Sequence, residues 1–237
     1  MESHSHFPTR GQKGTAMTNR REGALRAAFA LFGALAMGGC GSVHYPAHYT
    51  LNFEPSVQAP APARSIGTVT VADLGCPDYL CADRIVYRPT PAEVAFYEYH
   101  RWAVSPREMV AHYLADRVRS RSVFASVTGA DSHIATDFVL NGTIDRLEEV
   151  DEGRRVAAVC ALSAQLRDRR TGSVVWTSTI TERVALEQRD VAGLVNGLTT
   201  AVRNSVDRLV ADMELELGRS AALPCMDPRT CVGTHPR

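Results

Sequence analysis

The sequence predicts an α+β fold: a two-layer sandwich with a mainly antiparallel sheet and two helices packed on one face. Three observations carry this. Between Phe138 and Ile180, apolar residues recur at every second position in three successive runs, the spacing of strands with one buried face. Two other stretches, opening at Ser105 and at Asp190, repeat apolar residues every three to four positions, the helical spacing. The alternating runs bury more apolar surface than one helix can shield, whereas two helices on the same face can cover it, leaving the other face half polar.

At 237 residues the chain has room for one well-packed core plus accessory segments. Along the chain, the first strand is expected at 66–72, rich in β-branched residues. Short strands at 84–88 and 94–99, separated by Pro89 and Pro91, read as a hairpin. Ser105, Pro106 and Glu108 supply a helix cap, a first-turn proline and the acidic member of a capping box. The helix they start places Met109, Val110, Tyr113, Leu114 and Val118 on one face, with Arg107, Asp116, Arg117 and Arg121 outside it. Phe138, Leu140, Gly142 and Ile144 form one face of the next strand. A turn at 151–153 leads to Ala158, Cys160, Leu162, Ala164 and Leu166, and a second turn at 168–172 leads to Val174, Trp176, Ser178 and Ile180. These three strands form an antiparallel meander. From Asp190 a long helix carries Leu194, Leu198, Val202, Val206, Leu209, Met213 and Leu217 inward, with Gly218 as its stop.

The N-terminus has a different character. Arg20, Arg21 and Arg26 precede a wholly small or apolar run at 27–39 that ends at Met37-Gly38-Gly39-Cys40, the organisation of a secretion signal. Its 13 residues fall short of the roughly 20 that a membrane-crossing helix needs, so cleavage is the better reading. Met17 is the expected true start, which makes His4 and His6 irrelevant to metal binding. The small residues before Cys40 resemble the bacterial lipobox, with Met37 where leucine is commonest, and acylation of Cys40 would give a stable membrane anchor. Gly41, in place of aspartate, favours the outer membrane in some Gram-negative bacteria. Domain boundaries follow: signal 1–39, lipidated end and flexible tether 40–65, folded domain 66–218, cysteine-bearing tail 219–237.

An exported chain meets an oxidising compartment, so the local pairs Cys76 with Cys81 and Cys225 with Cys231 are candidate disulfides. A four-cysteine zinc site is the rival, and its pairs would be at or beyond the usual spacing. Cys160 is expected to be a small buried hydrophobe.

The 26 basic and 26 acidic residues cancel and alternate along the chain, which argues against nucleic acid as a partner. No nucleophile elbow, zinc-protease motif, phosphate loop or dinucleotide fingerprint occurs, and the sequence points away from an enzyme and from any cofactor. Asp131-Ser132-His133 reads as a turn, because triad members converge from separate loops. Glu148 and Glu149 read as a solvated strand end. Phe96, Tyr97, Tyr99 and Trp102 either fill the space between hairpin and first helix or form an exposed strip; Tyr97, Tyr99 and Trp102 are the candidate contacts for a partner or a lipid chain.

Several short motifs resemble the auxiliary lipoprotein component of ABC-type transport systems, the PqiC/YmbA-like family. They are Tyr49-Thr50-Leu51, the segment from Asp83 to Arg88, Arg101-Trp102-Ala103 ahead of the first helix, and Asp168 to Gly172 opening the strand that carries Trp176. The resemblance implies a lipid-anchored protein of the outer membrane, its domain facing the periplasm. It would work with a periplasmic MCE-domain protein and an inner-membrane ABC-type transporter, moving phospholipid or another hydrophobic molecule. A ring-forming partner would favour several copies of the chain, and the family offers no catalytic residues. Cys76, Cys81 and the cysteine-bearing tail depart from the family pattern. The competing expectation is a structural or regulatory lipoprotein that docks a cell-wall enzyme or envelope complex without handling lipid.

Overall fold

The computed structural model describes residues 44–57, 65–153 and 155–222. Among these residues the fold is α+β, with an eight-stranded mixed open sheet and three helices. In chain order the elements are β1 (Ala47–Tyr49), β2 (Thr68–Val71), α1 (Asp78–Cys81), β3 (Arg84–Thr90), β4 (Glu93–Trp102) and α2 (Pro106–Ser120). They continue with β5 (Ser126–Thr128), β6 (Phe138–Asp151), β7 (Val156–Asp168), β8 (Val174–Leu186) and α3 (Val191–Ala222).

β6 organises the sheet. One of its edges pairs antiparallel with β7 along its whole length, from Phe138↔Asp168 to Asp151↔Val156. Its other edge is shared: β2 runs parallel to its first residues, Gly75 bridges Thr143, and β3 runs parallel at Glu149 and Val150. β4 and β1 continue the sheet beyond β3, and β5 continues it beyond β2. The expected antiparallel meander and hairpin are present and carry most of the pairing, but the sheet is mixed, because β1, β2 and β5 and the contact of β3 with β6 join in parallel. A three-residue strand such as β1 or β5 is too short to show an apolar alternation in the sequence.

The turns follow their side-chain chemistry. Asp168 Oδ1 accepts the N–H groups of Arg170 and Thr171, and Asp151 Oδ1 accepts that of Gly153. Gly172 and Gly153 adopt the positive φ angles that close these turns, 74° and 79°. β6 and β8 run well beyond the apolar alternation that predicts them, since the ladders with β7 continue through residues of mixed polarity at their ends.

α3 buries the seven residues its periodicity selects, against Ala158, Cys160, Leu162, Ala164 and Leu166 on β7 and the flanking strand β8. The small residues on β7 let the helix approach closely: a Cβ at Gly197 would lie 2.9 Å from Ala158 Cβ. Asp190 caps the helix by accepting the Gly193 N–H at 2.7 Å. Gly218 does not stop it; the helix runs on to Ala222, nothing around Gly218 forcing a turn. α2 packs against α3, with Arg117 paired to Asp207 at 2.6 Å. Its expected capping box is absent: Ser105 donates its hydroxyl to the Cys81 carbonyl instead. The opposite sheet face is half polar, as expected: it aligns Asn141, Gln165 and Thr177, then Thr143, Ser163 and Thr179, and continues along β7 through the buried Ala161, Val159 and Ala157.

The expected tether is shorter than 40–65. β1 pairs with β4, Leu51 is buried, Phe53 stacks on Tyr113 at 4.1 Å, and Ser56 bonds both Asp116 and Arg117 on α2. The domain therefore begins near Ala47, well before Ile66.

Candidate functional site

The densest polar chemistry lies where β3 and β4 meet the end of β6. Adjacent residues of a strand face opposite sides, so Glu148 and Glu149 project to opposite faces of the sheet. Glu148 is 0% exposed. Arg88 holds it in a fork, Nε to Oε1 and Nη2 to Oε2 both at 3.1 Å, while Arg146 donates from Nε at 2.7 Å and Nη2 lies 2.6 Å from Oε1. Hydrogen bonding to Glu148 raises the affinity of the Arg88 guanidinium for its proton. A buried carboxylate held by this many charge-assisted bonds is a structural tie. The expected solvated strand end is thus overturned: both glutamates are buried, because Arg88 and Tyr97 come from sixty and about fifty residues away to meet them.

On the helix-facing side, Glu149 accepts the Tyr97 hydroxyl at 2.9 Å. Burial, and then this bond, hold the Tyr97 phenol well above its ordinary value, so it stays the donor. Tyr97 also contacts Tyr87 and His100, and Tyr49 on β1 bonds His100 Nδ1 at 3.0 Å. β4 bulges between Phe96 and Arg101 relative to β3, and Arg101 bridges the bulge by donating to the Tyr97 and His100 carbonyls. Arg84 stacks over the Phe96 ring at 4.3 Å.

The three candidate contact residues therefore do not form one exposed strip. Trp102 is 4% exposed and belongs to the core beside α2, Tyr97 is half-buried and bonded, and Tyr99 is 43% exposed. Tyr45, just ahead of β1, is 81% exposed. The sequence could not separate these roles, because the bulge breaks the two-residue alternation on which such an assignment rests.

Cys76 and Cys81 form a disulfide that closes the loop around α1, with their Cα atoms 5.8 Å apart. That bond removes two of the four thiolates a zinc site would need. Cys160 is free and buried under α3, and burial pushes its thiol up to about 12. Cys40, Cys225 and Cys231 lie outside the described residues, as do Met17, His4 and His6. Asp131-Ser132-His133 forms the expected turn, with Ser132 Oγ accepting the Ile134 N–H. Among the described residues no group of three metal-ligating side chains converges, and no helix is long and apolar enough to cross a membrane.

A family model, the ABC-type transport auxiliary lipoprotein component, matches residues 49–210, from β1 into α3. The chain belongs to this family. The match begins at Tyr49, inside the segment that the fold shows packed on the domain. A comparison with curated proteins returns no match. Among solved structures, a Xanthomonas campestris protein of the DUF330 family is 22% identical, with 75% of this chain and 100% of that chain covered and a TM-score of 0.63. An uncharacterised protein is 15% identical over 71% of this chain and 99% of its own, with a TM-score of 0.57. PelC from Paraburkholderia phytofirmans, a dodecamer in its crystals, is 18% identical over 66% and 94%, with a TM-score of 0.42. The first two share the fold. The family and these relatives carry no enzymatic names.

Proposed function

We propose that this protein is an outer-membrane lipoprotein, anchored through acylated Cys40 with its domain in the periplasm. In this reading it is the auxiliary component of an MCE/ABC-type system that moves phospholipid or another hydrophobic molecule between membranes. Residues 1–39 are the signal, residues from Cys40 to about 46 the linker, and 219–237 a tail closed by a Cys225–Cys231 disulfide. The two long helices form the second layer over one face of the sheet. The function is structural docking, not catalysis. Its partners are a periplasmic MCE-domain protein and the inner-membrane transporter, with several copies of the lipoprotein around the conduit.

The observation that carries this reading is the early start of the fold. Because β1 begins at Ala47, six residues separate it from Cys40, a reach of about 25 Å even when fully extended. An acylated Cys40 then holds the domain against the bilayer by its β1–β4 end. That end carries the exposed Tyr45 and Tyr99, aromatic groups suited to a membrane interface or to a conduit opening there. Trp102 supports this end from the core.

The reading is tested by isolating the tagged protein from its own membranes in mild detergent and identifying what accompanies it by mass spectrometry. Recovery of an MCE-domain protein with transporter subunits, lost on Cys40→Ala, is the expected result. Recovery of a cell-wall enzyme instead would replace the transport role by docking of an envelope complex.

A further inference from the structure

The sheet ends differently on its two sides. One side tapers into β1 and β5, three residues each. The other ends in β8, 13 residues long, which among the described residues pairs only with β7. An open edge of this length is a row of unused N–H and C=O groups, which proteins usually blunt with lysine, proline or a short strand. β8 has no lysine and no proline, and residues 174–181 are uncharged and mostly β-branched.

We propose that β8 pairs antiparallel with β8 of a second copy of this chain, about a twofold axis near Thr179, so that one sheet runs through both molecules. A twofold contact sets residues near their own symmetry mates, so a charged centre would repel itself. Here the centre is Thr177, Ser178, Thr179, Ile180 and Thr181. The exposed Val174 and Val175 become covered by residues 183–184 of the second copy. The ends are complementary in charge. In this register the turn before β8, with exposed Arg169 and Arg170, runs beside the residues that follow β8 in the second copy. Those residues line an open groove of about 370 Å³ between β8 and the start of α3, which carries Glu187, the Asp190 carboxylate there already accepting the Gly193 N–H. The one cation there, Arg189, is already held in a fork by Asp151, and the Asp168 carboxylate is occupied by backbone N–H groups of its turn. The contact occurs twice by symmetry.

The test uses the full-length protein in its own membranes, in a Cys225→Ser/Cys231→Ser background. Thr179→Cys is oxidised and read on a non-reducing gel, because directly opposed residues of antiparallel strands have Cα atoms about 4.5–5.5 Å apart, within disulfide reach. The expected result is a cross-linked dimer forming at least about tenfold faster than with Arg119→Cys, an exposed position on α2. Arg169→Glu with Arg170→Glu should slow that cross-link about tenfold, and adding Glu187→Arg should restore most of it. If Thr179→Cys fails to melt cooperatively, a mixture of Thr177→Cys and Thr181→Cys chains replaces it, since these positions face each other in this register. A cysteine that maleimide labels but that does not cross-link would overturn the proposal by showing an open, unused edge. A cysteine that neither labels nor cross-links would overturn it too, by showing another occupant.

Discussion

The meander β6–β8 under α3 and the β3–β4 end of the same sheet bury their interiors by different means. Under α3 the contact is apolar and graded by size, small side chains on β7 receiving leucines and valines from the helix. At the β3–β4 end the interior is closed by a carboxylate between two guanidiniums on one face and a tyrosine–glutamate bond on the other. An apolar contact weakens gradually when one member is trimmed, whereas a buried ionic tie fails at once when one charge is left unmatched.

The strongest way to expose that contrast is Glu148→Ala. It leaves Arg88 and Arg146 facing each other with no counter-charge and should cost about 3–5 kcal/mol in a urea denaturation series. Replacing the trio together, as Arg88→Met, Arg146→Leu and Glu148→Met, should recover most of that loss. If Glu148→Ala costs no more than an exposed substitution, the two regions do not differ in kind.

Opening the Cys76–Cys81 disulfide by Cys76→Ser with Cys81→Ser should cost about 2 kcal/mol, the loop being short. The fall in Tm of the double variant relative to the oxidised protein measures it. Under α3, Gly197→Ala pits better helix propensity against a clash with Ala158 Cβ and Leu186. A net loss of about 1 kcal/mol is expected, and a gain would mean that β7 and α3 pack less tightly than their geometry implies.

The smallest effect is a pH dependence. Hydrogen bonds from the Thr68 backbone and hydroxyl hold the Asp137 carboxyl below its ordinary range, Arg189 does the same for Asp151, and the Thr171 N–H for Asp168. A carboxyl depressed in the folded state stabilises above its unfolded pKa of about 4, and that contribution is lost as pH falls through the lower folded value. The denaturation midpoint should therefore drop below about pH 4, and Asp137→Asn should flatten that drop without changing its sign. Unchanged slopes in the variant would show that Thr68 does not bind the charged form preferentially.

Much of the first region was legible in the sequence. The seven inward residues of α3, the three meander strands and the buried Cys160 follow from local periodicity, because burial of one face repeats with the geometry of the element itself. Little of the second was. Glu148 and Glu149 look like a solvated pair until Arg88 and Tyr97 are brought to them, and Tyr97, Tyr99 and Trp102 look alike until the β4 bulge turns them apart.

By itself, then, the sequence determined the α+β class, the meander, both long helices, the disulfide-prone loop and membership of a transport-auxiliary lipoprotein family. Tertiary structure alone decided that residues 47–57 belong to the domain, that the short strands join in parallel, that two adjacent glutamates are buried, and that β8 has no second partner among the described residues. The physical reason is range. Apolar periodicity is written in neighbouring residues, whereas a parallel pairing, a charge clamp or an unpaired edge depends on segments that only folding brings together.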